Sequence, residues 1–186
     1  VEKDAERIDE NSQRGMLRPE VDVHEKEQKG MIHRPKIYLD VDGVLLGNPN
    51  PQKPDSNLAD HSHALLEYCL NRFECFWLST HCRNGDTRHL LGHLAPHADV
   101  TFMNLARLVK PTPCAWKTLK TEAIDLDAEF YWLDDDPLQV EKEILRDRGK
   151  LDRWIEVNTR IEPDGLSRVL NYLRVFLQSQ RRFERR

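Results

Sequence analysis

The sequence predicts an α/β fold, a parallel sheet with helices on both faces. Three observations carry that expectation. Short apolar runs rich in aromatic and β-branched residues recur along the chain, at 36–39, 75–78 and 130–133. Segments of helical periodicity lie between them. Each run stops in polar residues: Asp40/Asp42, Ser79/Thr80 and Asp134/Asp135. Strands that alternate with helices build a parallel sheet, which must be covered on both faces.

The elements follow in order. Residues 36–39 (Lys-Ile-Tyr-Leu) read as a buried strand feeding the turn Asp40-Val-Asp-Gly-Val44. Three prolines, Pro49, Pro51 and Pro54, make 47–55 a loop. Asp60 is the expected N-cap of a helix to Arg72, with Leu65, Leu66, Cys69 and Leu70 along one side. Residues 75–78 give a second strand. Asp86 caps a helix running to Leu94, ended by Pro96. The run 100–103 (Val-Thr-Phe-Met) reads as a short strand, 113–124 as a helix, 130–133 as an apolar strand and 154–157 as a further one. A closing helix sets Leu166, Val169, Leu170, Leu173, Phe176 and Leu177 on one stripe. The architecture expected is three-layered and Rossmann-like.

Composition bounds what the chain can be. With 186 residues it suits one domain plus tails. No apolar run approaches the roughly 18 residues of a membrane span, and no charged-then-apolar leader is read at its start. Cys69, Cys75, Cys82 and Cys114 form no CxxC pair and are too sparse for a disulfide framework, so a reducing, cytoplasmic setting is expected. The net charge of −4 argues against nucleic-acid binding through bulk charge and leaves local basic patches open. Residues 1–35 hold nine acidic and seven basic residues and no Phe, Tyr or Trp, a composition too poor in apolar surface to offset ordering entropy. They are expected to be a flexible charged arm, and a candidate docking segment for a protein partner. The folded domain is expected over 36–180, followed by a basic tail at 181–186.

In an open parallel sheet the carboxyl ends of the strands share one edge, and ligands bind there. Asp40, Asp42, Ser79, Thr80, Asp134 and Asp135 are therefore expected in one small volume. Carboxylates packed together repel unless a hard cation sits among them, and Mg²⁺ is the natural occupant. Phosphate oxygens complete such a cation's coordination. His89, His93 and His97 recur at four-residue intervals with His81 and Cys82 nearby. Pro96 is expected to end that helix before His97, and no Cys/His pair has finger or ribbon spacing, so a polar helix face is expected rather than a zinc site.

Asp40-Val-Asp-Gly-Val after an apolar strand, Ser79 ending the next one, a following lysine and the pair Asp134-Asp135 together resemble the four motifs of the haloacid dehalogenase-like (HAD) phosphohydrolase superfamily, in that family's order. The segments 40–45, Trp77-Leu-Ser-Thr80, Trp116-Lys-Thr118 and Trp132-Leu-Asp-Asp135 are closest to the small HAD domains of bacterial proteins and of RNA-repair multidomain proteins. Where Ser79 stands that group usually has Thr, and where His81 stands it usually has an aromatic. The resemblance implies a Mg²⁺-dependent phosphatase. Asp40 would be the nucleophile, and Asp42 the general acid and then base, also offering Mg²⁺ its backbone carbonyl. Asp134 and Asp135 would hold the ion with Asp40, and Ser79 would bind a phosphoryl oxygen. Gly43, Thr80 and His81 would line the substrate's place. The motif lysine is Lys117 or Lys110, with Lys117 preferred because Trp116-Lys117-Thr118 matches the closer group, and Lys110 left as a substrate contact. The intervals from Asp42 to Ser79 and from Ser79 to Lys117 are already used by loop, helix and strand, so no cap domain is expected. A capless site in this family goes with bulky substrates, such as phosphorylated nucleic-acid ends in repair or phosphoproteins. The alternative in another class is a catalytically silent binding module.

Overall fold

A computed structural model describes residues 34–48 and 56–183, with side chains as far as 175. The described residues form a five-stranded, wholly parallel sheet: β1 (Lys36–Leu39), β2 (Glu74–Trp77), β3 (Lys110–Pro111), β4 (Phe130–Asp134) and β5 (Trp154–Glu156), in the order β3-β2-β1-β4-β5. The helices are α1 (Ser62–Arg72), α2 (Arg88–Leu94), α3 (Val100–Ala106), α4 (Gln139–Asp147) and α5 (Gly165–Phe183).

Alternation along each strand explains why both faces are covered. Ile37, Leu39, Cys75, Trp77, Tyr131 and Leu133 point to one face and pack with residues of α1, α2, α3 and α5. Tyr38, Phe76, Leu78, Phe130 and Trp132 point to the other, against Trp116, Ala123, Ile124 and Leu145 of α4. The expected three-layer, Rossmann-like architecture is therefore present. Among the described residues no cap domain is inserted, and no helix is long and apolar enough to cross a membrane. Cys69, Cys75 and Cys82 are buried thiols and Cys114 is an exposed one.

Several elements differ from expectation for local reasons. Residues 100–103, expected as a strand, open helix α3 instead. The Asp99 carboxylate accepts the Phe102 N–H (2.8 Å), an N-cap, and Phe102, Met103 and Ala106 bury one helical face while Val100 is exposed. Residues 113–124 are not a helix. The Glu122 carboxylate accepts the N–H groups of Lys117 (2.9 Å) and Leu119 (3.1 Å), leaving irregular chain and one 3₁₀ turn, Lys120–Ala123. Helix α1 starts at Ser62 behind His61, whose φ of 66° is left-handed, so Asp60 is not its cap. Helix α2 has Thr87 at its N-cap position, so Asp86 is not the cap; it lies one residue outside and accepts the Arg88 N–H (2.9 Å). Helix α4 and the short strand β3 have no counterpart in the expectation.

The charged arm falls almost wholly on 1–33, outside the described residues. Arg34 and Pro35, read as its end, lie against the domain: Arg34 donates to the Leu70 carbonyl and Pro35 accepts the Glu74 N–H (3.0 Å). Part of the proline loop, 49–55, is outside the described residues too. Helix α5 runs on through Phe183, into the stretch expected as a tail.

Candidate active site at the carboxyl edge of the sheet

From β1 the chain passes to β2 on one side, and from β4 to β5 on the other. The crevice between β1 and β4 is thus the topological switch point, where such sheets bind ligands. Asp40 follows β1 and Asp134 ends β4. The two strands run in register, Leu39 beside Leu133, and the Asp40 N–H donates to the Leu133 carbonyl (3.0 Å). Main-chain pairing alone therefore brings the two carboxylates together.

Both are nearly inaccessible, Asp40 at 6% and Asp134 at 1% exposure. Asp40 Oδ1 accepts the Val41 N–H (2.8 Å) and Oδ2 accepts from Lys120 Nζ (2.7 Å). Asp134 Oδ2 accepts from the Trp132 indole (3.1 Å) and from Lys120, and Oδ1 accepts the Asp136 N–H (3.1 Å). Asp135 stands beside them, with Arg160 and Asn158 each 3.5 Å from its Oδ2. Gly43, at φ 79°, passes so close that a Cβ there would run into the Asp135 side chain. Only glycine satisfies both that contact and the left-handed backbone.

Burial pushes all three carboxyls up. For Asp40 the Lys120 charge opposes this in part. Asp134 is pushed up to about 6, by burial and then by the Asp40 charge. Asp135 is raised by burial and by Asp134. Lys120 feels burial in the opposite sense, but Asp40 and Asp134 outweigh it and hold the ammonium charged.

The sequence candidates for the lysine are not the one found here. Lys117 is exposed, and its backbone N–H meets Glu122. Lys110 is exposed on the edge strand and pairs with Glu74 (2.9 Å). Lys120 reaches the carboxylates because its 3₁₀ turn is fixed from two sides: by Glu122, and by buried Glu141, which accepts the Thr121 N–H (3.2 Å) and the Leu138 N–H (3.0 Å).

Ser79 is buried at the end of β2, next to β1, and caps a short 3₁₀ turn by accepting the His81 N–H (3.5 Å). Thr80 is exposed. Asp42, two residues beyond Asp40, turns its carboxylate elsewhere: Oδ2 accepts from His81 Nε2 and Oδ1 from His93 Nε2, both at 2.9 Å. Partial burial pushes the Asp42 carboxyl up, but hydrogen bonds from His93 and His81 outweigh it and hold the group below its ordinary range. His93 joins the site only through the packing of α2 over the turn at 80–82. Its place in the four-residue histidine series was the available sequence signal.

The donor chemistry fits a hard divalent cation. Oxygens of Asp40, Asp134 and Asp135 lie within 4.8 Å of one another, and Lys120 supplies one positive charge against three carboxylates. The Asp42 carboxylate belongs to a separate group with His81 and His93. Comparison of the chain with family models, with curated proteins and with solved structures finds no match.

The cation fit has a measurable consequence. Raised carboxyl pKa values mean that the native state keeps protons the unfolded chain has released. Without metal, stability therefore falls as pH rises from the ordinary carboxylate range to about 6, where Asp134 titrates. A Mg²⁺ ion held by the ionised cluster would stabilise the fold fully above that pH and not below it. At a hundredfold excess over Kd the gain is about 2.7 kcal/mol, or roughly 5–10 °C in melting temperature for a chain of this size. Melting scans with and without Mg²⁺ at pH 5 and pH 8 read it directly. Equal shifts at both would show that the ion binds elsewhere.

Proposed function

We propose that the chain is a phosphomonoesterase of the HAD type that works through an aspartyl-phosphate, acting on phosphorylated nucleic-acid ends or nucleotides. The observation that carries this reading is the junction of Asp40, Asp134 and Asp135 with the Lys120 ammonium at the β1/β4 crevice. Asp40, Asp134 and Asp135 would hold Mg²⁺, which neutralises charge on the transferring phosphoryl group.

In the first half-reaction an Asp40 oxygen attacks phosphorus and the ester P–O bond breaks. The Val41 N–H and Lys120 Nζ orient the attacking carboxylate. The departing alkoxide takes its proton from the Asp42–His81–His93 group. In the second half-reaction water attacks the same phosphorus, its proton passes to Asp42, and Asp40 and inorganic phosphate are released. Asp42 suits the base role because its hydrogen bonds favour the ionised form. Ser79, buried at the end of β2 beside β1, would bind a phosphoryl oxygen, and Lys120 would balance charge on both nucleophile and phosphate.

The preference for bulky substrates rests on the absence of an inserted cap among the described residues. Phosphate release should be measured from an aryl phosphate and from a panel of 3′- and 5′-phosphorylated oligonucleotides, with chelator and Asp40→Asn as controls. The expected result is Mg²⁺-dependent release in wild type alone. Oligonucleotides left intact beside a hydrolysed aryl phosphate would remove the nucleic-acid part and turn attention to phosphopeptides. No release from any substrate, with Mg²⁺ demonstrably bound, would leave a binding module.

A further inference from the structure

We infer that Asp42, His81 and His93 form a second cation site, chemically distinct from the all-oxygen cluster, for a borderline divalent transition metal of the zinc type. His81 Nε2 and His93 Nε2 each lie 2.9 Å from a different oxygen of Asp42. The two imidazoles stack with centroids 4.1 Å apart and 24° between their planes. All three ligand atoms fall within 4.8 Å of one another. Two imidazole nitrogens and one carboxylate are a donor set for zinc and its neighbours rather than for Mg²⁺.

The ligand positions are built in advance. Asp42 sits in the turn after β1, where the Gly43 N–H donates to the Leu46 carbonyl (2.8 Å) and Val41, Val44 and Leu45 are buried. His81 lies in the turn anchored by buried Ser79 and Cys82, and His93 on α2 between buried Leu90 and Leu94. With metal–ligand bonds near 2.0–2.2 Å, tetrahedral donors stand roughly 3.3 Å apart. The 2.9 Å imidazole–carboxylate distances and the 4.8 Å span of the set bracket that spacing, so side-chain adjustment admits an ion as the Nε2 protons leave. Side-chain exposures of 32% for His81, 35% for His93 and 37% for Asp42 leave the remaining coordination position open to water or substrate. His97 is not a fourth ligand through Nδ1, which accepts the Asn57 N–H (3.4 Å). An ion here would hold the Asp42 carboxylate away from proton transfer and so act as a brake on the proposed reaction. The site itself does not depend on that reading, because binding is measured on the resting protein.

The full chain is titrated with Co²⁺ alone, followed by visible d–d absorption, and with Zn²⁺ alone in equilibrium dialysis. The expected result is saturable binding of one equivalent that Asp134→Asn retains. His81→Ala and His93→Ala should each weaken it by more than the roughly 10–100-fold typical of losing an outer-shell partner. His89→Gln, an exposed position on the same helix, should not. Imidazole ¹⁵N spectra of wild type with Zn²⁺ guard against variants that fail to fold: the Nε2 signals of His81 and His93 should move and that of His89 should stay. Absence of saturable binding, binding indifferent to both histidine changes, or unmoved His81 and His93 signals would each overturn the proposal in favour of a hydrogen-bonded triad.

Discussion

Lys120→Ala is expected to lower the proposed Mg²⁺-dependent phosphate release by roughly 10²–10³-fold, the usual cost of removing one charge-stabilising donor from such a site. It is also expected to cost about 3–5 kcal/mol of stability, since breaking a buried ion pair leaves uncompensated charge. Lys120 has only 14% of its side chain exposed and bridges two buried carboxylates, so its loss leaves Asp40 and Asp134 facing each other undiluted. Stability and catalysis separate in a double variant. Adding Asp134→Asn to Lys120→Ala removes one of the two repelling charges and should restore part of the melting temperature without restoring turnover. Lys117→Ala and Lys110→Ala should stay within about 0.5 kcal/mol of wild type, as surface changes do, and keep their activity. The Lys110–Glu74 pair is exposed and worth little. A dead Lys117→Ala beside an active Lys120→Ala would return the motif lysine to the sequence assignment.

That contrast shows where sequence reading stops. Four strands were legible, β1, β2, β4 and β5; the first three of these are short apolar runs that end abruptly in carboxylates or a hydroxyl, and parallel pairing then fixes which edge those ends share. Asp40 and Asp134 needed nothing more than register. The lysine needed the path of 113–124, and there the helical pattern loses to the Glu122 carboxylate, which takes two backbone donors a helix would have used differently. Lys117 and Lys120 are three residues apart, so a helix would have carried both on one side; an irregular turn carries only Lys120 inward. The run 100–103 failed for a related reason: its strand-like composition is overridden by the Asp99 cap. His93 was visible as one of a spaced series, but its meeting with His81 is made by tertiary packing, which periodicity does not encode.

Asp40→Asn and Asp42→Asn are expected to fail in different halves of the reaction. Removing the proposed nucleophile should abolish turnover by a factor on the order of 10⁴–10⁶, with no burst, because no phosphoryl acceptor remains. Asp42→Asn should lower steady-state turnover by roughly 10²–10⁴-fold, the range for a lost acid–base group. With an aryl phosphate, however, the phenolate departs without needing a proton, so the first half still proceeds. Phosphorus then stays on Asp40 because water has lost its base. A rapid burst of phenol equal to the enzyme present should precede the slow phase, and acid quenching should recover the phosphate on protein. An alkyl phosphate needs the proton in the first half too, and should show no burst. The surroundings of the two carboxylates support this proposed division. Asp40 is buried against Lys120 and Asp134, whereas Asp42 is held by two imidazoles at 2.9 Å, outside the acidic cluster. If Asp40→Asn retained wild-type turnover while chelation of Mg²⁺ removed it, direct attack by metal-activated water would replace the covalent route, and Asp40 would be only a ligand.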